Sequence, residues 1–268
     1  MRGRDIKRWK VEPQNLWIIF TRHGIDIEQF PGVLSYLKPF KNRLMPRPDA
    51  WDESRQGVWP GRKQGSYEWF EIQDNVAYWK DFESPKIVYP DIALSPQFAW
   101  EDRGFFTGDT TFFIPSPTRH LLAVLNSSAC SWFFSQISPS IQNGYYRFKS
   151  IYCKQIPIPP TQANQADALS SLAVAVAASQ HSGAKFEQLI NGLVYELFVP
   201  EDLHTAGIRL FDACDREHIT RLATLEGTAL QTEAEAMAER IFSNSHPIYT
   251  MLFDLKALDV VRIIEARD

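Results

Sequence analysis

Apolar residues form two kinds of pattern along the chain, and short runs typical of strands come first. NLWIIFT at Asn15–Thr21 is rich in β-branched and aromatic residues and predicts a buried strand. KIVYPDI at Lys86–Ile92 predicts a second short strand that stops at Pro90, and Thr110–Ile114 predicts a third. The first half of the chain therefore combines short strands with irregular segments.

Proline and glycine interrupt the sequence between Gly24 and Lys86, so regular elements there must be short. Phe30–Phe40 predicts a helix that starts near Pro31, because proline is favourable in a first turn. Further along, Ser116–Pro117 has the pattern of an N-cap and first helical residue. Two apolar helical faces follow, separated by a break at Asn126–Ser127: Leu121, Leu122, Val124 and Leu125, then Ala129, Trp132, Phe133 and Ile137.

A compact aromatic and basic turn, Gly144–Lys149, follows these helices. If the turn is extended, alternate side chains point to opposite sides. One side would then be core and the other a basic, aromatic contact surface. The predicted surface set is Tyr145, Arg147 and Lys149, and the predicted core set is Tyr146 and Phe148.

Helical patterns rich in Ala, Leu and Glu replace the strand-like runs after prolines 157, 159 and 160. This change predicts two domains, residues 1–158 and residues 159–268. The fold class predicted is α+β: a mixed, loop-rich α/β domain followed by an all-α helical bundle. The predicted helices of the bundle are Asn164–Gln180, Lys185–Val199, Leu203–Ala213, Thr220–Phe242 and Pro247–Ala266.

Charge is distributed unevenly between these two parts. The net charge of the 268 residues is −4, but residues 1–160 hold 20 Lys and Arg against 16 Asp and Glu, and residues 161–268 hold 8 against 16. In the first part, basic residues between Lys38 and Lys63 alternate with aromatic ones. Such a mixture is typical of a nucleic-acid surface, although tryptophans that fill small cores in a loop-rich domain would produce the same pattern.

The sequence contains no recognisable catalytic motif. No two glycines stand two residues apart, no asparagine precedes a proline, and Walker A, nucleophile-elbow and HExxH motifs do not occur. Pro48-Asp49 and Pro90-Asp91 lack the downstream Glu-x-Lys of a metal-dependent nuclease. Three unevenly spaced cysteines, no long apolar run and no secretion signal predict a cytoplasmic protein without metal site or membrane span.

Several motifs, in order, resemble the TaqI-like C-terminal specificity domain. They are GRDIKRW at residues 3–9, PKIVYPDI at 85–92, TTFFIP, HLLAVLNS, WFFSQI and GYYRFKSIYCKQIPIP within 110–159, and NGLVYELF at 191–198. That domain follows the catalytic core in adenine-specific DNA methyltransferases and in fused restriction–modification enzymes of type IIG. The match is weaker after about Pro200.

The resemblance implies a target-recognition domain that binds double-stranded DNA beside an upstream methyltransferase catalytic domain. No cofactor is then expected in this chain; S-adenosylmethionine, with magnesium if the parent also cleaves DNA, would bind the parent enzyme. The predicted DNA contacts are Arg147, Lys149, Tyr145, Arg43, Arg47, Arg62, Lys63, Gln64, Lys7 and Arg8. The alternative is a protein-interaction module, in which the acidic C-terminal helices carry the function and form a homo-oligomer.

Overall fold

The computed structural model describes residues 1–115 and 117–266, and its fold is α+β, as predicted. The chain forms two compact units. One consists of residues 15–80, and the other joins Met1–Gln14 to the chain from Asp81 onward. We describe each unit separately.

The unit of residues 15–80 is built from short helices and loops and, in these residues, contains no strand. Its helices are α1 (Pro31–Leu37), α2 (Lys41–Leu44) and α3 (Glu53–Gln56), with a 3-10 turn, Lys38–Phe40, between the first two. The helix predicted at Phe30–Phe40 is thereby confirmed, with Pro31 in its first turn. Among these residues only Ile27 and Tyr67 are buried hydrophobic side chains, so polar contacts must supply much of the order.

The strand predicted at Asn15–Thr21 is wrong. The segment has no strand pairing, and Leu16, Trp17, Ile18 and Ile19 are exposed, with 91% of Trp17 accessible. Strand propensity describes how well a side chain fits a paired, half-buried surface, and no partner strand lies beside this segment in its unit.

The other unit contains two small antiparallel sheets. β1 (Lys86–Pro90) lies between β3 (Ala99–Glu101) and β4 (Thr111–Pro115). This confirms two predicted strands, and the central strand β1 is fully buried because it is covered on both sides.

The second sheet is a two-stranded ribbon of β2 (Ile92–Ala93) and β5 (Tyr146–Arg147). Ile92 lies opposite Arg147 in this pairing. Because β2 follows β1 after one residue, Asp91, the ribbon continues directly from the three-stranded sheet.

Two helices follow β4: α4 (Arg119–Leu125) and α5 (Ser128–Ile137). The predicted break between them is confirmed, and the Ser127 side chain caps α5 by accepting a hydrogen bond from the Cys130 N–H. Ser116 lies outside the described residues, and α4 starts at Arg119 rather than at Pro117. On α5 the buried side is Ala129, Cys130 and Phe134, whereas Trp132 is exposed, contrary to the prediction.

The rest of the chain is helical, as predicted for the C-terminal part. Three predicted helices each divide in two, because Gly207 and Gly227 adopt positive φ angles and a turn forms near Ala257. The helices are α6 (Ser150–Cys153), α7 (Ala163–Ala178), α8 (Gly183–Phe198), α9 (Pro200–Thr205), α10 (Leu210–Arg216), α11 (Gly227–Ile241), α12 (Pro247–Leu255) and α13 (Asp259–Ile264), with a 3-10 helix at Ile219–Thr224.

One hydrophobic core extends through this second unit. It runs from Trp9 and Phe98 through Leu122 to Leu172 and Leu193, without interruption at residues 157–160. Helix α4 packs closely on α7 across the predicted domain boundary. The boundary at residue 158 stays a prediction about chain organisation, and these contacts place both of its sides in one core.

Candidate nucleic-acid interface

The N-terminal motif GRDIKRW folds against the three-stranded sheet with its apolar residues inside. Gly3 allows a close approach, since a Cβ there would lie a tight 3.0 Å from the Thr110 carbonyl oxygen. Asp5 is buried and accepts a hydrogen bond from the Arg2 N–H at 2.8 Å. Ile6 and Trp9 are buried, whereas Arg4 and Lys7 remain exposed.

Helix α8 anchors the end of this motif. The Glu187 carboxylate accepts a hydrogen bond from Trp9 Nε1 at 2.7 Å and pairs with Arg8 Nη1 at 2.8 Å. Arg8 also donates to the Asn126 carbonyl oxygen, and burial lowers the pKa of its guanidinium although Glu187 raises it. Arg8, a predicted DNA contact, is thus engaged within the protein.

A groove of about 640 Å³ lies beside the motif. It brings together two predicted contact residues, Lys7 and Tyr145, which are 138 positions apart in the sequence. Its other lining residues include cations, an amide and exposed apolar side chains: Arg2, Arg4, Gln97, Ile92 and Leu94, together with the carboxylates Asp91 and Asp109. The groove thus combines three cations and apolar side chains with two carboxylates.

Arg147 is held by Asp91, which lines this groove. Its Nε donates to Asp91 Oδ1 at 3.1 Å, and its Nη2 donates to Asp91 Oδ2. The hydrogen bonds that Arg147 donates to this carboxylate raise the pKa of its guanidinium. About a third of the arginine side chain, 36%, stays accessible to solvent.

The alternation predicted for the turn is present. Phe148 is buried and stacks on Phe134 with ring centroids 4.2 Å apart. Tyr145 and Lys149 are exposed on the other side, and Lys149 immediately precedes helix α6. The buried ring therefore fixes the strand that presents Arg147.

A second candidate surface lies in the unit of residues 15–80. Residues 31–47, the basic helical segment, contain four Lys or Arg and no Asp or Glu. None of the residues in α1, α2 or the 3-10 turn between them is buried. Tyr36 and Phe40 are exposed, with ring centroids 5.8 Å apart. Arg43, a predicted DNA contact on α2, is exposed as well.

Other predicted contacts in this unit have partners within it. Arg47 pairs with Glu53 at 3.0 Å and Lys63 with Asp74 at 2.8 Å, both with exposed side chains. Gln64 Nε2 donates to Asp49 Oδ1 at 2.6 Å. Exposed pairs of this kind exchange readily for other partners, because each contributes little free energy.

Arg62 stabilises the fold of this unit. Its guanidinium donates to the carbonyl oxygens of Leu44 at 2.6 Å, Glu71 at 2.7 Å and Trp69 at 3.0 Å. It also lies over the Tyr67 ring, 4.6 Å from the centroid. Burial lowers the pKa of Arg62, and its donors are largely used in joining three stretches of the unit.

Sequence reasoning missed several residues of the groove. Arg4 and Gln97 line it, and Asp91 was considered only as a nuclease carboxylate. The partnership of Asp91 with Arg147 spans 56 residues and leaves no local signal in the sequence. Arg4 could have been found, because it is one of the cations of the N-terminal motif that also contains Lys7 and Arg8.

Residues 1–115 and 117–266 contain neither a metal-binding cluster nor a membrane-spanning helix. No group of three or more His, Cys, Asp or Glu side chains in them could hold a metal ion. None of the helices described is long and apolar enough to cross a membrane. Burial raises the pKa of the Cys153 thiol to about 11 and of Cys130 to about 12, so neither carries a reactive thiolate at neutral pH.

Comparison with known proteins agrees with the motifs described. The family model of the TaqI-like C-terminal specificity domain matches residues 1–158. The Type II methyltransferase M.BanIII of Aneurinibacillus aneurinilyticus is 26% identical over 153 residues, which is 53% of this chain and 24% of that protein. The chain thus spans about a quarter of the length of this relative.

Proposed function

Since the chain belongs to the family of TaqI-like C-terminal specificity domains, we propose that it recognises specific sequences in double-stranded DNA. The basic helical segment carries the proposal: residues 31–47 combine four cations, no acidic residue and no buried helical residue. A helix that packs within its own protein buries an apolar face. Here no helical residue is buried, and the cations Lys38, Lys41 and Arg43 lie in the 3-10 turn and in α2. Such a surface suits a polyanion that accepts an α-helix in its major groove.

The proposal extends to a parent enzyme. In it, this chain is the specificity part of a restriction–modification system, and an upstream catalytic domain methylates adenine with S-adenosylmethionine. The methyltransferase relative supports this, as does the lack of a GxG loop and an Asn-Pro-Pro motif in the 268 residues. Whether the parent also cleaves DNA with magnesium depends on that upstream sequence. A cytoplasmic location follows from such a role.

The proposed DNA contacts are of two kinds, to phosphates and to bases. Lysines such as Lys7 and Lys149 suit phosphates, because an ammonium group is a compact point charge. Arg43 and Arg147 have the planar fork that matches base edges. Arg8 and Arg62 act indirectly in this proposal, by fixing the segments that carry the contacts.

Duplex binding by the full chain tests the proposal. Fluorescence anisotropy with a labelled duplex of mixed sequence should show an affinity that falls steeply as salt is raised. Arg43→Ala should weaken binding by about 1–3 kcal/mol and relax the sequence preference, because it removes a fork aimed at a base edge. The matched control is Arg216→Ala, an exposed arginine of the acidic helical part, which should leave both quantities unchanged.

Binding that ignores salt, or no binding at all by a chain that unfolds cooperatively, would contradict the proposal. Equal losses for Arg43→Ala and Arg216→Ala would contradict the assignment of the basic helical segment.

A second candidate is a protein-interaction module. It is favoured by an apolar cavity of about 420 Å³ lined by α5, α8 and α13, together with exposed Phe253 and Ile263 on the C-terminal helices. Size-exclusion chromatography with and without duplex separates the two candidates. A stable oligomer that is indifferent to DNA favours this second one.

A further inference from the structure

Arg147 and Asp91 are joined side-on, and among residues 1–115 and 117–266 no other group accepts from the guanidinium, which leaves its end free. Asp91 takes the N–H of Nε and one N–H of Nη2. A guanidinium has five N–H donors in a fixed fork. Both N–H groups of Nη1 and the second one of Nη2 therefore remain, and one from each nitrogen points along the end of the fork.

The carboxylate that holds the arginine is itself fixed. The Asp91 N–H donates to the Thr110 carbonyl oxygen at 3.0 Å, and its own carbonyl oxygen accepts from the Phe148 N–H at 2.7 Å. Phe148 is buried against Phe134. Both backbone groups of Asp91 are thus hydrogen-bonded, which fixes the position of its carboxylate and with it the direction of the Arg147 guanidinium.

The pair joins a groove to a two-stranded ribbon. Asp91 is also a lining residue of the groove that contains Tyr145, Gln97 and Lys7. Arg147 is opposite Ile92 in the β2–β5 ribbon, and Ile92 is exposed. A two-stranded ribbon is one of the two elements that the major groove of B-DNA admits.

Among the four bases, guanine alone presents two acceptors, O6 and N7, side by side in the major groove. Adenine offers one acceptor beside a donor, thymine one acceptor beside a methyl group, and cytosine a donor. Two parallel N–H donors therefore discriminate in favour of guanine. Asp91 cannot replace them, since a carboxylate only accepts hydrogen bonds.

We propose that Arg147 reads a guanine of the target site in the major groove, and that Asp91 is the positioning residue that aims it. This inference rests on the proposed DNA recognition and adds one base to it. A surface ion pair with only a structural role would have no effect on base preference, and that difference decides the test.

The first measurement is selection of bound duplexes from a randomised pool by the full chain, at one salt concentration. The unmodified chain should enrich a site with an invariant guanine. Arg147→Ala and Arg147→Lys should lose the preference for that guanine by about tenfold or more, because Lys keeps the charge and lacks the fork. Asp91→Ala should relax the same position, and in the Arg147→Ala background it should have no further effect.

Arg240→Ala is the matched control. Arg240 forms a similar pair with Glu217, with Nε–Oε2 at 3.1 Å, in the acidic helical part. This variant should keep the whole preference. Thermal unfolding of each variant verifies that a lost preference does not come from a lost fold.

Base analogues then localise the contact. 7-Deazaguanine at the selected position replaces the N7 acceptor with a C–H and should weaken binding by the unmodified chain but not by Arg147→Ala. Inosine keeps O6 and N7 and loses only the minor-groove amino group, so it should bind as guanine does.

The outcomes separate this inference from the function it rests on. Salt-dependent duplex binding with an unchanged guanine preference in Arg147→Ala, or with no guanine selected, overturns the inference and leaves DNA binding standing. Loss of affinity on inosine instead of 7-deazaguanine overturns the major-groove assignment. Absence of salt-dependent binding in the unmodified chain overturns the proposed function itself.

Discussion

At the scale of single residues, the Glu235 carboxylate accepts four hydrogen bonds from the segment that leads into α8. It lies on α11, and its Oε1 accepts from the N–H groups of Gln180 at 3.0 Å and His181 at 3.1 Å, while Oε2 accepts from the Ser182 hydroxyl. These donors immediately precede α8. Partial burial raises the pKa of Glu235, but the hydrogen bonds outweigh it and lower the pKa overall.

We expect Glu235→Gln to lower the free energy of unfolding by about 1–2 kcal/mol at pH 7, because charged hydrogen bonds are lost. Since the folded pKa is below the unfolded one, the difference is fully present above about pH 4.3. It should shrink as the pH falls through the lower folded pKa. Urea unfolding at several pH values measures it, with exposed Glu239→Gln on the same helix as control. A difference in unfolding free energy that persists at low pH would contradict the claim that the ionised carboxylate supplies the stabilisation.

Single residues also show how far sequence reasoning reaches. Lys7, Lys149, Tyr145 and Arg43 are exposed, as a contact residue must be. Arg62 looked the same in the sequence, yet its guanidinium is bonded to backbone carbonyls. Whether the N–H donors of a cation are used within the protein depends on residues far away in the sequence, and a local pattern does not show them.

At the scale of elements, α8 depends on one glycine. A Cβ at Gly192 would lie 2.6 Å from Leu210 Cδ1 and 2.8 Å from Leu252 Cδ2. The helix can therefore approach α10 and α12 closely, and it also presents Glu187 to the N-terminal motif.

We expect Gly192→Ala to destabilise the protein by about 1–3 kcal/mol through overpacking, reduced by the better helix propensity of alanine. Gly183→Ala in the first turn of the same helix is the control, because its Cβ would meet Val176 at an ordinary 3.7 Å. That variant should be neutral or slightly stabilising. Thermal unfolding of both compares them, and equal effects would contradict the packing argument.

Elements were predictable where the local pattern and the tertiary neighbours agree. β1, β4, α7 and α8 fall within two residues of their predicted ends, since each has a strong apolar period and a partner to bury it. Asn15–Thr21 has the pattern without the partner, and it forms no strand. The predicted helix of residues 203–213 divides because Gly207, with φ +76°, allows a turn that periodicity does not reveal.

At the scale of the whole molecule, the core crosses the end of the family match. Leu122 and Val124 on α4 are buried in the same cluster as Leu169 and Leu172 on α7. A chain that ends at residue 158 would expose the α4 side of this contact to water.

We expect a fragment of residues 1–158 to lose cooperative unfolding, because roughly 1.5–3 kcal/mol is lost for each large apolar side chain left exposed. Circular dichroism in urea, with the full chain as control, measures this. A fragment that unfolds as cooperatively as the full chain would establish residues 1–158 as an independent domain. The outcome decides whether the acidic helices are an appendage or part of the scaffold for recognition.

The exposed segment Leu16–Ile19 has a consequence for the protein in concentrated solution. It joins four large apolar residues with strand propensity and contains no charge or proline. Segments of this composition pair edge to edge with identical copies when nothing covers them. We therefore expect the isolated chain to aggregate through this segment even when the rest of the protein is stably folded. Substitution of one of the four residues by lysine should raise the protein concentration at which aggregation begins.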